Sequence, residues 1–136
     1  MKNPWILSLL VGAGGFAGSL ARYGLSVIAQ RLSIQWPVGT LAANILGCLI
    51  IGVVAGIFSR GEGISPEARL FLATGFCGGF TTMSSLVYET VAMIRASEYL
   101  HACFYAAGTF FLSLAAFAVG VVGFRILIRI GGGLWS

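Results

Sequence analysis

Four apolar stretches, at about residues 4–30, 37–58, 66–94 and 98–130, occupy almost the whole of a 136-residue chain. About 20 predominantly apolar residues suffice for a helix to cross the hydrocarbon core of a bilayer, so each stretch is a candidate span. In lipid the backbone must satisfy its own hydrogen bonds, and a helix does this within one segment. The expectation is an all-α integral membrane protein: one transmembrane domain over residues 1–136, with four helices and short loops. Charge agrees, because only 9% of residues are charged against about 25% in a soluble domain. The 20 glycines suit membrane helices, where glycine is commoner than in soluble ones.

The boundaries carry their own signals. Asn3–Pro4 reads as N-cap and first residue of the first helix, Pro37 opens the second, Ser65–Pro66 opens the third, and Ser97 is the expected N-cap of the fourth. The first run follows Lys2 without a small-residue cleavage site at the right distance, and is read as a retained span. Gly14/Gly18 and Gly52/Gly56 are GxxxG pairs, read as packing faces. Cys48, Cys77 and Cys103 lie in apolar runs without a C-x-x-C pair or a histidine partner, and are read as small buried residues. With four spans both termini share one side. Lys2, Arg60, Arg69, Arg125 and Arg129 fall on or near it, and Arg31 and Arg95 on the other, which favours cytoplasmic termini and leaves dual insertion open.

One stretch departs from this pattern. Gly75 to Leu86 places three glycines and four hydroxyl residues in twelve positions of the third run. A continuous helix over residues 67–94 would be about 42 Å long, against a core about 30 Å thick. It must tilt, protrude or break, and Gly78–Gly79 is the expected place for a break. Irregular backbone at membrane depth survives only against protein or water, so the break points to a pore or binding site. Thr40 and Asn44 share one face of the second helix. His101, Tyr105, Thr109 and Ser113 recur every four residues on the fourth, as a polar stripe suited to lining a path. Asn44 either ties two helices together or aims a donor into a pore. Arg22 either snorkels, makes a structural hydrogen bond, or faces an anion vestibule.

Other chemistries fit poorly. Ser84 or Ser85 with His101 lacks a Gly-x-Ser-x-Gly context. Metal ligands do not cluster, and the net charge of +4 has no basic run to track a nucleic acid. A proton-coupled exporter needs a central carboxylate, and the candidate, Glu89, lies toward a helix end. What the chain offers is uncharged donors, Asn44, Thr82, Ser84, Ser85, Thr109 and Ser113, which suit an anion. Carbonyls freed between Gly78 and Thr81 suit a small cation. Four short helices barely enclose a path, so a two-fold homodimer is expected.

Over nearly its whole length the chain resembles the Fluc (CrcB-type) fluoride channels. The resemblance is carried by Gly14 to Tyr23 (GGFAGSLARY), Trp36 to Asn44 (WPVGTLAAN) with Gly47, and Gly75 to Thr82 (GFCGGFTT) with Ser84 and Glu89, in that order. It implies an antiparallel, dual-topology dimer in the bacterial inner membrane, with two passive fluoride pathways that protect the cell from fluoride. It implies a structural sodium ion at the dimer centre, held by the carbonyls of Gly78 and Thr81 of both subunits. It implies a fluoride pathway lined by Asn44, Met83, Ser84, Leu86, Tyr105, Thr109 and Ser113, with Arg22, Thr40 and Glu89 toward the vestibule. Where the family places two phenylalanines that contact fluoride, this chain has Met83 and Leu86, and Val87 replaces a serine that often follows. Three readings remain open: conduction along the hydroxyl track, a related partner subunit that supplies the phenylalanines, or a different substrate.

Overall fold

A computed structural model describes residues 3–32, 36–59 and 65–132, all helical apart from caps, turns and one interruption. Lys2, Arg60, the centres of the two loops at 33–35 and 60–64, and Gly133 lie outside the described residues. The elements are α1 (Pro4–Leu32), α2 (Val38–Phe58), α3 (Pro66–Arg69), a π-helical segment (Leu70–Cys77), α4 (Gly78–Phe80), α5 (Met83–Arg95) and α6 (Tyr99–Gly132). Among the described residues four spans are long and apolar enough to cross a membrane: Pro4–Arg31, Val38–Phe58, Pro66–Arg95 and Tyr99–Ile130.

The caps follow the local sequence with one exception. Asn3 Oδ1 accepts from Trp5 N–H at 3.1 Å, and Ser65 Oγ accepts from Ala68 N–H at 3.2 Å with Pro66 as the first helical residue. Each satisfies an amide that a helix start leaves open. Ser97, expected to cap the fourth span, instead closes α5. Its φ is +63°, Glu98 N–H bonds to Met93 C=O at 2.9 Å, and Ser97 N–H bonds to Ile94 C=O at 3.0 Å. That is a Schellman stop with serine in the left-handed position usually given to glycine.

The core is partly apolar, with Ala43, Val54, Cys77, Phe80 and Leu86 buried, but much of the outer surface is apolar as well. Leu9, Phe16, Phe111 and Leu127 are exposed, whereas Thr40, Asn44, Thr82 and Thr109 are buried. Large apolar side chains cover much of the subunit's outer surface, and these hydroxyls and the amide face the interior, where each polar group needs a partner. Glycine lets the backbones approach. A Cβ on Gly14 or Gly18 of α1 would strike the carbonyl oxygen of Phe71 or Phe76, and one on Gly79 would strike that of Gly15. The second seam joins α2 to α6, where a Cβ on Gly52 would strike the Phe117 carbonyl and one on Gly120 the Leu49 carbonyl. The GxxxG pairs therefore act in packing, as their spacing suggests.

The third span is interrupted, three residues later than its glycines suggest. Gly78 is helical, with φ −63° and ψ −37°. The extended residues are Thr81 (φ −79°, ψ 156°) and Thr82 (φ −149°, ψ 112°). Gly78–Phe80 continues the turn, and the chain leaves the helix where a partner on α2 takes over its hydrogen bonds.

Candidate functional site

That partner is Asn44. Its side-chain amide forms a two-point clamp on Thr82: Thr82 N–H donates to Asn44 Oδ1 at 2.7 Å, and Asn44 Nδ2 donates to Thr82 C=O at 3.1 Å. Asn44 and Thr82 are both buried, so the clamp replaces bonds that water cannot supply. Gly47, one turn along α2, leaves room for Thr81; a Cβ there would strike Thr81 Cγ2. Thr82 Oγ1 caps α5 by accepting from Ser85 N–H at 3.1 Å. It also contacts Ser84 Oγ at 3.2 Å and donates to Ser85 Oγ at 3.0 Å.

The break redirects two backbone donors. In a continuous helix Thr82 N–H would reach the Gly78 carbonyl and Ser85 N–H the Thr81 carbonyl. Here those donors serve Asn44 Oδ1 and Thr82 Oγ1. The neighbouring Gly79 carbonyl is taken up from α1, by Arg22 Nε at 3.2 Å and Ser19 Oγ at 3.4 Å. Arg22 is thus the structural hydrogen bond that one reading of the sequence allowed. It brings a cation to the C-terminal end of the first half of the span, the favourable end of a helix dipole.

At the break lies a cavity of about 460 Å³ between α2, α5 and α6. Asn44, Met83, Leu86, Thr109 and Ser113, all singled out from sequence, line it together with Thr81, Thr82, Cys48 and Phe110. Ser84 and Tyr105 are not among its lining residues. Tyr105 is buried elsewhere, where its hydroxyl donates to Glu89 Oε2 at 2.6 Å. Thr40 Oγ1 donates to the other oxygen, Oε1, at 2.8 Å. Glu89 thus joins α2, α5 and α6 through two neutral hydroxyls, and with Thr40 it lines a smaller recess beside Ser26 and Trp36. Arg22 does not line that recess.

The polar stripe of α6 divides. His101 is exposed, 3.4 Å from Glu98 and edge-on to Trp36. Thr109 Oγ1 donates to its own helix, at the Tyr105 carbonyl (2.7 Å). Ser113 Oγ is buried without a hydrogen-bond partner among the described residues, which is costly unless something else occupies the site. Sequence reading missed Ser19, Cys48 and Phe110. The last two lie one helical turn from Asn44 and Ser113, and that spacing is the signal that could have found them.

Residues 9–121 match the protein family described as CrcB-like protein, Camphor Resistance (CrcB). Among similar proteins, the fluoride-specific ion channel FluC of Chlorobaculum tepidum is 46% identical over 122 residues, covering 90% of this chain and 94% of that protein. That of Chlorobium phaeobacteroides is 45% identical over 109 residues, covering 80% and 85%. That of Maridesulfovibrio salexigens is 36% identical over 121 residues, covering 88% and 96%.

Proposed function

The chain belongs to the CrcB-like family, and from that premise we propose that it is a subunit of a fluoride-specific channel, a multi-pass protein of the bacterial plasma membrane. We assign it no catalytic role. The observation that carries the reading is the buried, unpartnered Ser113 hydroxyl beside the Asn44 clamp in one cavity. A small anion there would meet the uncommitted Ser113 hydroxyl and the second Asn44 amide proton, and among the described residues no basic side chain lines the cavity to trap it. Binding that is favourable but not deep allows entry and release. Transport is passive. An inside-negative potential drives an anion outward with about 2.3 kcal/mol per charge for each 100 mV.

The functional form is an antiparallel homodimer with two such pathways. The cavity is a groove along a single subunit, with Met83 68% exposed at its edge, so a second copy is needed to close it. The carbonyls of Gly78 and Thr81, whose helical donors are redirected, suit a small hard cation held by oxygen ligands. A sodium ion held there would supply positive charge close to the break. Asn44 and Thr82 Oγ1 keep those carbonyls available by taking the donors that would otherwise cover them. Replacing sodium on both sides of the membrane by a bulky organic cation is expected to lower fluoride flux and thermal stability together. Unchanged flux and stability would remove the cation from the assembly.

Liposome efflux tests the reading. With a potassium ionophore present, the purified protein should release fluoride, with no comparable chloride release and no proton coupling. Glu89→Gln should still conduct, because the carboxylate serves here as an acceptor for Thr40 and Tyr105, and a proton-cycling group is not required. Absent fluoride release overturns the channel reading. Flux that follows a proton gradient and is lost in Glu89→Gln favours an exporter.

A further inference from the structure

We infer that Phe110 is the aromatic anion-facing residue of this subunit, a role that neither the motif around the break nor the polar stripe assigns to it. The inference rests on reading the 460 Å³ cavity as the fluoride pathway. An anion leaving water needs positive partial charge from groups not already committed to other partners. Few such groups remain. The Thr109 proton goes to the Tyr105 carbonyl. Asn44 gives one amide proton to Thr82 C=O, and the Thr82 hydroxyl is engaged by Ser84 and Ser85. Ser113 Oγ keeps its proton.

Phe110 precedes Ser113 by three residues, so the two share a face of α6, and both line the cavity. Phe110 is the one aromatic residue among the described lining residues. An aromatic ring carries positive charge at its edge; the Met83 and Leu86 side chains, across the same cavity, have no such edge. The Phe110 ring packs at 79° to Phe111, with centroids 5.4 Å apart, and remains 58% exposed within the subunit. Little intrasubunit packing depends on it, and more than half of its surface is left uncovered by its own subunit.

The test is fluoride efflux from liposomes holding the full-length protein, Phe110→Leu, Phe110→Met, Phe110→Trp, and the double variant Phe110→Leu/Leu86→Phe, each checked for monodispersity. Removing the ring should lower fluoride flux about tenfold in the Leu and Met variants, the upper range for an aromatic contact. The Trp variant should stay within about threefold, and Leu86→Phe should restore the Leu variant, because either position presents a ring edge to one cavity. Unreduced flux in both the Leu and Met variants overturns the inference and leaves the fluoride pathway standing. Equal losses in the Leu, Met and Trp variants, without rescue by Leu86→Phe, also overturn it and indicate a packing role. A parent protein that passes no fluoride overturns the inference and the channel reading together.

Discussion

Asn44→Asp is expected to lower fluoride flux by about three orders of magnitude, while the protein remains folded enough to purify. The aspartate retains an acceptor for Thr82 N–H, at present 2.7 Å from Oδ1. It loses the Nδ2 donor that satisfies Thr82 C=O at 3.1 Å, and a buried carbonyl left unpaired costs about 1–3 kcal/mol. The larger effect is on the ion. A carboxylate about 4 Å from a monovalent anion repels it by about 4 kcal/mol at an effective dielectric of about 20, and each 1.4 kcal/mol is about tenfold. Asn44→Leu separates the two effects. It carries no charge but leaves both the N–H and C=O of Thr82 unpaired, at about 2–6 kcal/mol in sum, so it reports the loss of the clamp without the repulsion. Efflux rates and detergent melting curves of the two variants provide the check. Parent-like flux in Asn44→Asp would remove Asn44 from the pathway.

Gly18→Val is expected to abolish recovery of monodisperse protein. A Cβ at Gly18 would strike the Phe76 carbonyl oxygen and come within 2.9 Å of Phe80 N. Neither is the free end of a side chain, so α1 and the third span must separate. Overpacking in cores costs about 1–3 kcal/mol and sometimes more, and a clash with backbone that cannot rotate away belongs at the upper end. Separation also withdraws Arg22 and Ser19 from the Gly79 carbonyl. Gly12→Val on the same helix is the control, because nothing lies within 4 Å of a Cβ there. Size-exclusion profiles and yields of the two variants should differ sharply, and equal behaviour would refute the close seam between α1 and the third span.

These expectations draw unequally on sequence and on structure. The GxxxG pairs were legible because a four-residue spacing puts two small residues on one face whatever lies opposite. The caps at Asn3 and Ser65 were legible because a cap acts within its own turn. Ser97 misled for a complementary reason. Serine is a good N-cap in general, but the Met93 and Ile94 carbonyls of the preceding helix claimed the turn first. The break lies close to Gly78–Gly79, as the sequence suggests, but the glycines are not its cause. Gly78–Gly79 reads as a helix breaker, yet Gly79 is there to let α1 approach, and the extended residues are threonines. The π-helical winding of Leu70–Cys77 leaves no clear mark on apolar periodicity, since it differs from an α-helix by one residue per hydrogen-bonded ring.

Run length and composition by themselves determined that this chain spans a membrane with four helices, because apolar area and backbone satisfaction are properties of each segment alone. Residue identity in the right order determined the family. Tertiary structure alone decided which polar groups work together. Asn44 and Thr82 are 38 positions apart, Arg22 and Gly79 are 57 apart, and Thr40 and Glu89 are 49 apart. No local pattern encodes such pairings. They form because a buried donor must be satisfied by whatever the close glycine seams bring within about 3 Å, and those same bonds decide which hydroxyls are left for an ion.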